Sequence, residues 1–537
     1  MNLPSTPAPA APTLSGGTPL PRRKLPIGIQ TFREIIEEGH YYVDKTGFAV
    51  DLVETGKYYF LSRPRRFGKS LFLDTLRELF EGNQPLFTAL AAESRWDWSK
   101  KYPVIRISFS DGVLRDREEL DQRIRDLLRQ NRLSLDLRLP VDLPEADIAG
   151  NLSDLIRQAH QQSGQRAVVL IDEYDKPILD NIDNSAVALE MREGLKNLYS
   201  VLKGSDEHLK FGFLTGVSKF SKVSLFSGLN NLKDITLDAR YSDLCGYTDA
   251  DVDRVFAPEL PGLDREQIRQ WYNGYNWLGT PVYNPFDLLL LFDSREFRAY
   301  WFESGTPSFL IKLLQARQQF TPDLSRIVAP DTLLSTFDVD NIPVEALLFQ
   351  AGYLTIASAW RIPGRLELTL KYPNMEVQAS LNDSLLQSFT GDLAVPGPQI
   401  SRLYKLLLAQ DYAGLKDLFH AFYATIPHDW YRKNELANFE GYYASIFYSY
   451  FAALGLDIRL EDATNQGRVD MAVLFRGQVL LFEFKVVELN PVGKALQQIK
   501  AMGYADKYRS RGEPIHLIGV EFSKKSRNIV GFDIETL

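Results

Sequence analysis

Short, mostly apolar runs set the character of the first half of the chain: KYYFLS, PVIRISF, AVVLID and FGFLTG stand between stretches of helical spacing over residues 25 to 245. A strand apolar at successive positions is buried on both faces, so this alternation predicts a mostly parallel sheet covered by helices. Residues 1 to 24 are rich in Pro, Ala, Ser and Thr, bury too little to repay ordering, and are expected to form a disordered tail. From 246 to 335 the pattern is helix-rich and punctuated by WYNGYNW and VYNPFDLLLLF, which predicts a helical lid or interaction region. Residues 336 to 430 open on VEALLFQAGYL at helical spacing, followed by LTIAS and LELTLKYP around the turn RIPGR. That order suits a winged helix; a structural spacer competes, because the wing is not notably basic. Residues 431 to 537 give the aromatic helix NFEGYYASIFYSYFAAL, then MAVLFR, QVLLFEFK, a helix from Pro491 to Tyr508, and IHLIGVEF, a compact α/β domain.

Two places in this pattern carry phosphate chemistry. In SRPRRFGKS, Gly68, Lys69 and Ser70 fall where the strand Tyr58 to Leu61 gives way to the helix Leu71 to Phe80. A phosphate loop needs backbone N–H groups converging on anionic oxygens, a lysine for the terminal phosphates and a hydroxyl for magnesium, all at a helix N-terminus. The segment departs from GxxxxGK(S/T) at its first glycine, where Arg63 stands, so a basic turn before a helix competes. The run VVLIDEYD weakens that competitor, because Asp172 and Glu173 at a strand end are costly without a cation. Asp172 is the candidate for magnesium, and Glu173 for activating the attacking water. The strand PVIRISF between the two motifs is the order of the NTPase branch that uses such a glutamate. Thr215 and Ser218, where FGFLTG ends, are candidates for sensing the γ-phosphate, with capping hydroxyls the competing reading.

The second place lies near the end of the chain. Along LLFEFK, Glu483 and Lys485 are two apart and leave one face of a strand, while Phe482 and Phe484 take the other. Asp470 begins or just precedes the previous strand, from which a hairpin through Arg476, Gly477 and Gln478 returns the chain to Glu483. Two carboxylates offer hard oxygen ligands to magnesium, and a lysine can orient water and offset charge on a phosphorane. An ordinary Glu–Lys pair on a half-exposed strand is the competing reading.

LPIGIQTFREIIEEGHYYVDKTGF, FLSRPRRFGKSLFLDTL, VVLIDEYDKPI and FLTGVSKFSKVSLFSGLNNL resemble the AAA-ATPase-like domain of a large bacterial family of uncharacterised proteins. That family commonly carries a C-terminal nuclease-like domain of the PD-(D/E)XK superfamily, and the resemblance extends over nearly the whole chain. It implies an α/β fold: a P-loop NTPase with a parallel sheet, a helical or winged-helix-like middle, and a restriction-endonuclease-like α/β domain. It further implies nucleotide binding by Arg66, Phe67, Gly68, Lys69, Ser70, Leu71, Asp172 and Thr215, with Ser70 and Asp172 on the metal. In the nuclease-like domain Asp470, Glu483 and Lys485 match the superfamily core, Val469 replacing its proline. Glu440 is the candidate acid of the first helix and metal ligand, and Gln498 and Tyr504 match the helix after the core strands.

Composition narrows the setting. A single cysteine, Cys245, and six histidines without HxxxH spacing exclude a disulfide framework and a structural zinc site. No apolar run reaches bilayer length and the start lacks a signal-peptide core, so a soluble cytoplasmic protein with no membrane partner is expected. The net charge of -8 excludes a wholly basic nucleic-acid coat, yet permits a local basic groove. The resulting expectation is an ATPase gating a Mg²⁺- or Mn²⁺-dependent nuclease that acts on DNA. A nucleotide-switched protein that binds nucleic acid or a partner without cutting is the alternative, and a motor on DNA a third. Homo-oligomers are compatible with the sequence, and Arg192 and Arg240 are unranked candidates for an arginine finger. The aromatics Tyr442, Tyr443, Phe447, Tyr448, Tyr450 and Phe451 repeat at helical spacing, which favours core packing over base stacking.

Overall fold

The structure is a computed structural model that describes residues 21–139, 143–219, 225–226, 231–303, 324, 327–335, 343–390, 396–425, 440–463, 468–488 and 493–537. Residues 1–20 of the expected tail lie outside these. The chain divides into two compact units, Met1–Trp301 with Thr332–Gly352, and Phe302–Asp331 with Tyr353–Leu537.

The first unit is built on five parallel strands: β1 (Tyr58–Ser62), β2 (Val104–Ser108), β3 (Ala167–Asp172), β4 (Leu209–Gly216) and β5 (Lys233–Asp234), in the order β2-β3-β4-β1-β5. β1 and β3 are buried at every position, as their unbroken apolar runs require of strands covered on both faces. Helices Lys69–Phe80, Arg117–Ser134, Ile148–Ser163 and Ser185–Gly204 supply the cover. Two of them begin on aspartates, Asp116 and Asp147, whose carboxylates accept the backbone N–H of Glu119 and Gly150, caps of about 1 kcal/mol each. Because β4 lies between β1 and β3, the loop after β1, the carboxylates after β3 and the end of β4 converge at one edge of the sheet. That edge, beyond the carboxyl ends of parallel strands, is where open α/β sheets bind ligands. Helices Asp249–Val255, Arg265–Tyr272 and Pro285–Ser294 pack with Tyr41 and Val43 into a second apolar core of the same unit.

The second unit holds a three-stranded sheet and a five-stranded one. β6 (Ile327–Pro330), β7 (Thr355–Ile362) and β8 (Arg365–Lys371) are antiparallel in the order β6-β8-β7, with the β7–β8 turn at the RIPGR segment. β9 (Asp457–Ala463), β10 (Arg468–Phe475), β11 (Gln478–Val487), β12 (Ile515–Ser523) and β13 (Asn528–Thr536) run β13-β12-β11-β10-β9, with β11 and β12 parallel and every other pair antiparallel. One face of this sheet carries Phe482, Phe484, Val520 and Phe522 against helices Pro396–Ala409, Tyr412–Thr425 and Glu440–Ala453. The aromatic helix is therefore core: Tyr443, Phe447, Tyr448, Tyr450 and Phe451 are buried, with Phe447 stacked on Phe419 at 3.8 Å and Tyr443 on Phe522 at 4.3 Å between centroids. The side chain of Tyr442 lies outside the described residues. The other face carries Val479, Leu481 and Leu517 against Ile499, Tyr504 and Tyr508. β6, β9 and β13 are elements that the apolar pattern did not announce.

Candidate functional site

The loop between β1 and its helix is shaped by its arginines and its one glycine. Gly68 caps the helix in the left-handed region, with φ 90° and ψ 18°, a conformation that costs other residues about 1–2 kcal/mol. Arg63, at the position of the missing first glycine, is fully buried. Its guanidinium donates to the carbonyls of Ser62 (2.9 Å), Thr236 (2.9 Å) and Tyr241 (3.1 Å) and lies 4.1 Å from the centroid of the Trp277 ring. Burial lowers its pKa to about 10. The turn that a glycine would allow is thus closed by a side chain tying three carbonyls together. Phe67 is buried edge-on against Tyr275 and Trp277, so its ring anchors the loop and only its backbone remains for a ligand. Arg66, with φ 70°, places its guanidinium 4.2 Å from the Phe286 ring centroid.

Lys69 is buried, and its ammonium donates to the carbonyls of Arg63 and Pro64, both at 2.9 Å. Burial pushes its pKa below the ordinary lysine range, opposed by the carboxylates of Glu173 and Asp172. Asp172 gathers the polar groups around it: Ser70 Oγ donates to Oδ2 at 2.6 Å, and Thr215 Oγ1 donates to Oδ1 at 2.6 Å. The hydroxyl of Ser70 and the Asp172 carboxylate are the hard oxygen donors a magnesium–nucleotide complex takes at such a loop, so this pair fits that ion. Glu173 follows with φ 51°, an uncommon conformation for a non-glycine residue at a functional turn. Burial raises its pKa, aided by Asp172 and Asp175 and opposed by Lys69 and Arg65. Asp175 faces elsewhere: it accepts the Ser218 hydroxyl (2.6 Å) and the backbone N–H groups of Ser218 (2.7 Å) and Val217 (3.2 Å). Ser218 is committed to Asp175, whereas Thr215 reaches Asp172.

A cavity of about 400 Å³ opens on this loop, lined by Arg65 to Leu71 and by Glu173. Its far walls come from Gly28, Ile29 and Gln30, from Tyr41 to Val43, and from Pro285, Phe286 and Leu289. The helical region from 246 onward, chemically silent in sequence, therefore contributes wall residues to the same cavity.

On the C-terminal sheet the Met471–Phe482 pairing of β10 and β11 sets Asp470 beside Glu483. Asp470 stands inside β10, two residues past its start, and its Oδ2 accepts the backbone N–H of Phe484 at 2.8 Å. Glu483 is 1% exposed; Lys485 Nζ lies 3.3 Å from its Oε1, which also accepts the Gln498 amide. Its Oε2 is buried without a hydrogen-bond partner among the described residues. Burial raises the Glu483 pKa to about 7, reinforced by Asp470 and opposed by Lys485. A buried oxygen lacking a partner, beside a second carboxylate, is a donor set that fits a divalent cation and is unfavourable without one. Among the described residues no group of three or more His, Cys, Asp or Glu converges, so water and substrate oxygens would complete the coordination, as magnesium prefers. Glu440 opens the helix Glu440–Ala453, and its side chain lies outside the described residues. Tyr504 is buried in the apolar core between helix and sheet, which makes it packing for that face.

Similarity to known proteins places the chain. Residues 26–226 match the family model described as a predicted AAA-ATPase, and residues 438–532 match the PD-(D/E)XK nuclease superfamily. An uncharacterized protein in the vnfD 5' region of Azotobacter chroococcum mcd 1 is 62% identical over 517 residues, covering 96% of this chain and 99% of its own length. The chain belongs to this family of AAA-ATPase-like proteins with a PD-(D/E)XK nuclease superfamily domain.

Within this AAA-ATPase-like protein, two features of the nuclease-like domain were not visible as motifs. Glu521 on β12, 1% exposed and in register with Lys485, accepts the backbone N–H of Lys494 at 2.6 Å and of Ala495 at 3.4 Å. It thereby fixes the start of the helix Lys494–Ala501, from which Gln498 reaches Glu483. Gly519, in register with Glu483, lets that helix approach: a Cβ there would stand 2.3 Å from the backbone nitrogen of Leu496. The sequence signal was a glycine interrupting an otherwise apolar strand, a mark of close backbone approach.

Proposed function

We propose that this protein hydrolyses ATP at the Gly68–Ser70 loop and uses nucleotide state to control metal-dependent cleavage of DNA at Asp470, Glu483 and Lys485. One observation carries the nuclease half: the buried Glu483 carboxylate keeps an oxygen without a partner beside Asp470, with Lys485 at 3.3 Å. Asp470 and Glu483 would hold magnesium or manganese, which would polarise the scissile phosphate and acidify a bound water. Lys485 would orient the attacking water and offset negative charge, while Gln498 holds Glu483 in place.

In the ATPase half, Lys69 exchanges its two carbonyl acceptors for phosphate oxygens, a stronger charge-assisted pairing. Ser70 and Asp172 would hold the nucleotide's magnesium. Glu173 takes the proton of the attacking water, a role suited to a carboxylate whose pKa is raised. The cavity beside the loop gives the nucleoside a place between Ile29, Tyr41 and Phe286. The test is incubation of the purified protein with plasmid, linear duplex, single-stranded DNA and RNA, with each metal, with and without ATP. Metal-dependent DNA cleavage that changes with ATP supports the reading; binding without cleavage under every condition contradicts it.

A further inference from the structure

The three arginines of SRPRRFGKS have different surroundings. Arg63 is spent on three carbonyls and the Trp277 ring, and Arg66 lies over Phe286. Arg65 is exposed, and its guanidinium has no hydrogen bond or ion pair to the described residues, yet it lines the cavity together with Lys69 and Glu173. Its backbone is nonetheless fixed, because its carbonyl accepts the Trp301 indole N–H at 3.2 Å. By contrast, Arg192 and Arg240 sit in ion pairs with Glu193 and Asp238. We infer that Arg65 is the arginine finger of this ATPase, supplied in cis from the phosphate loop itself to the γ-phosphate. The inference rests on the reading of the loop as an ATP-hydrolysing site.

The physical case is one of charge and placement. Phosphoryl transfer spreads negative charge over the γ-phosphate oxygens, and a planar guanidinium with several donors matches that geometry. Lys69 is one cation committed to the loop; a second, Arg65, without a hydrogen bond or ion pair among the described residues, lines the same cavity as Glu173 and its charge is felt there. In the step concerned, water attacks the γ-phosphorus, the bond to the bridging oxygen breaks, ADP leaves with that electron pair, and the water's proton passes to Glu173. Arg65 exchanges no proton and only stabilises the charge.

The experiment is steady-state ATP hydrolysis by Arg65→Ala and Arg65→Lys in the full chain, with ATP affinity measured by calorimetry and thermal unfolding as a folding control. Fingers are worth ~10³–10⁵ in rate, so kcat for Arg65→Ala is expected to fall at least ~100-fold while ATP affinity changes less than ~5-fold, with Arg65→Lys between. Mixing Arg65→Ala with Glu173→Gln is expected to restore nothing, since each intact site needs both residues from one chain. Unchanged kcat, a loss confined to ATP affinity, or recovery on mixing would each overturn the inference and leave the ATPase reading standing. A wild-type protein that does not hydrolyse ATP would overturn both.

Discussion

At the scale of single residues, the account turns on groups whose environment is costly unless a ligand completes it. Lys69 is buried on two carbonyls of its own loop, so Lys69→Ala removes the main mobile cation for the phosphates. Two charge-assisted hydrogen bonds correspond to a loss of nucleotide affinity of roughly 100-fold or more, measurable by calorimetry; unchanged affinity would remove the assignment. Glu173→Gln keeps shape and loses the base: ATP binding is expected to persist while turnover falls by ~10²–10⁴, and wild-type turnover would place the base elsewhere. Glu483 gives a pH prediction. Its folded pKa of about 7 stands above the 4.5 of an ordinary glutamate. The metal-free protein thus binds a proton more tightly than the unfolded chain and loses stability as pH rises from about 4.5 through about 7. Metal binding needs the carboxylate, so affinity for manganese is expected to rise about tenfold per pH unit up to about 7 and level off above it. A metal titration that does not change with pH between about 5.5 and about 8 would contradict this.

At the scale of elements, both motifs were legible because each is a strand end plus a change of period. The apolar runs gave β1, β3 and β4, and LLFEFK gave β11 with its two faces, since Phe482 and Phe484 face the aromatic core while Glu483 meets Gln498. β9 and β13 escaped because they are edge strands whose charges, as in DIRLEDA and NIVGFDIET, blur the alternation that marks a half-buried strand. The roles of Arg63 and Glu521 escaped for a different reason: their partners lie far off in sequence, Arg63 on Thr236 and Tyr241, and Glu521 on Lys494. The approach of the helix Lys494–Ala501 to β12 has a direct test in Gly519→Ala. The added Cβ meets backbone of Leu496 at 2.3 Å and 2.8 Å, so the helix must move, at a cost of ~1–3 kcal/mol. A lower thermal midpoint together with weakened metal binding is expected; unaltered values of both would show that the close approach is dispensable.

At the scale of the whole molecule, the match to the Azotobacter chroococcum relative runs along 99% of that protein's length and so takes in both the AAA-ATPase-like and the nuclease-superfamily regions. Sequence could reach that pairing because each half carries its own compact motif. It could not reach the cavity walls, which bring residues near 28, 42 and 286 to one loop. The proposed coupling of nucleotide to cleavage is likewise not legible in the apolar patterns of the two halves, since coupling is a difference between states rather than a pattern within one. In an account where both centres are active and linked, cleavage must vanish with the nuclease centre and respond to nucleotide only while the loop is intact. The most direct measurement is plasmid cleavage with magnesium or manganese, with and without ATP, by wild type, Lys69→Ala, Asp470→Ala and Lys485→Ala. The account predicts cleavage by wild type that ATP alters, loss of that ATP response in Lys69→Ala, and loss of nearly all cleavage in the other two, with ATP hydrolysis retained and metal binding weakened only in Asp470→Ala. Wild-type protein that binds DNA but cuts none under any combination of metal and nucleotide would contradict it.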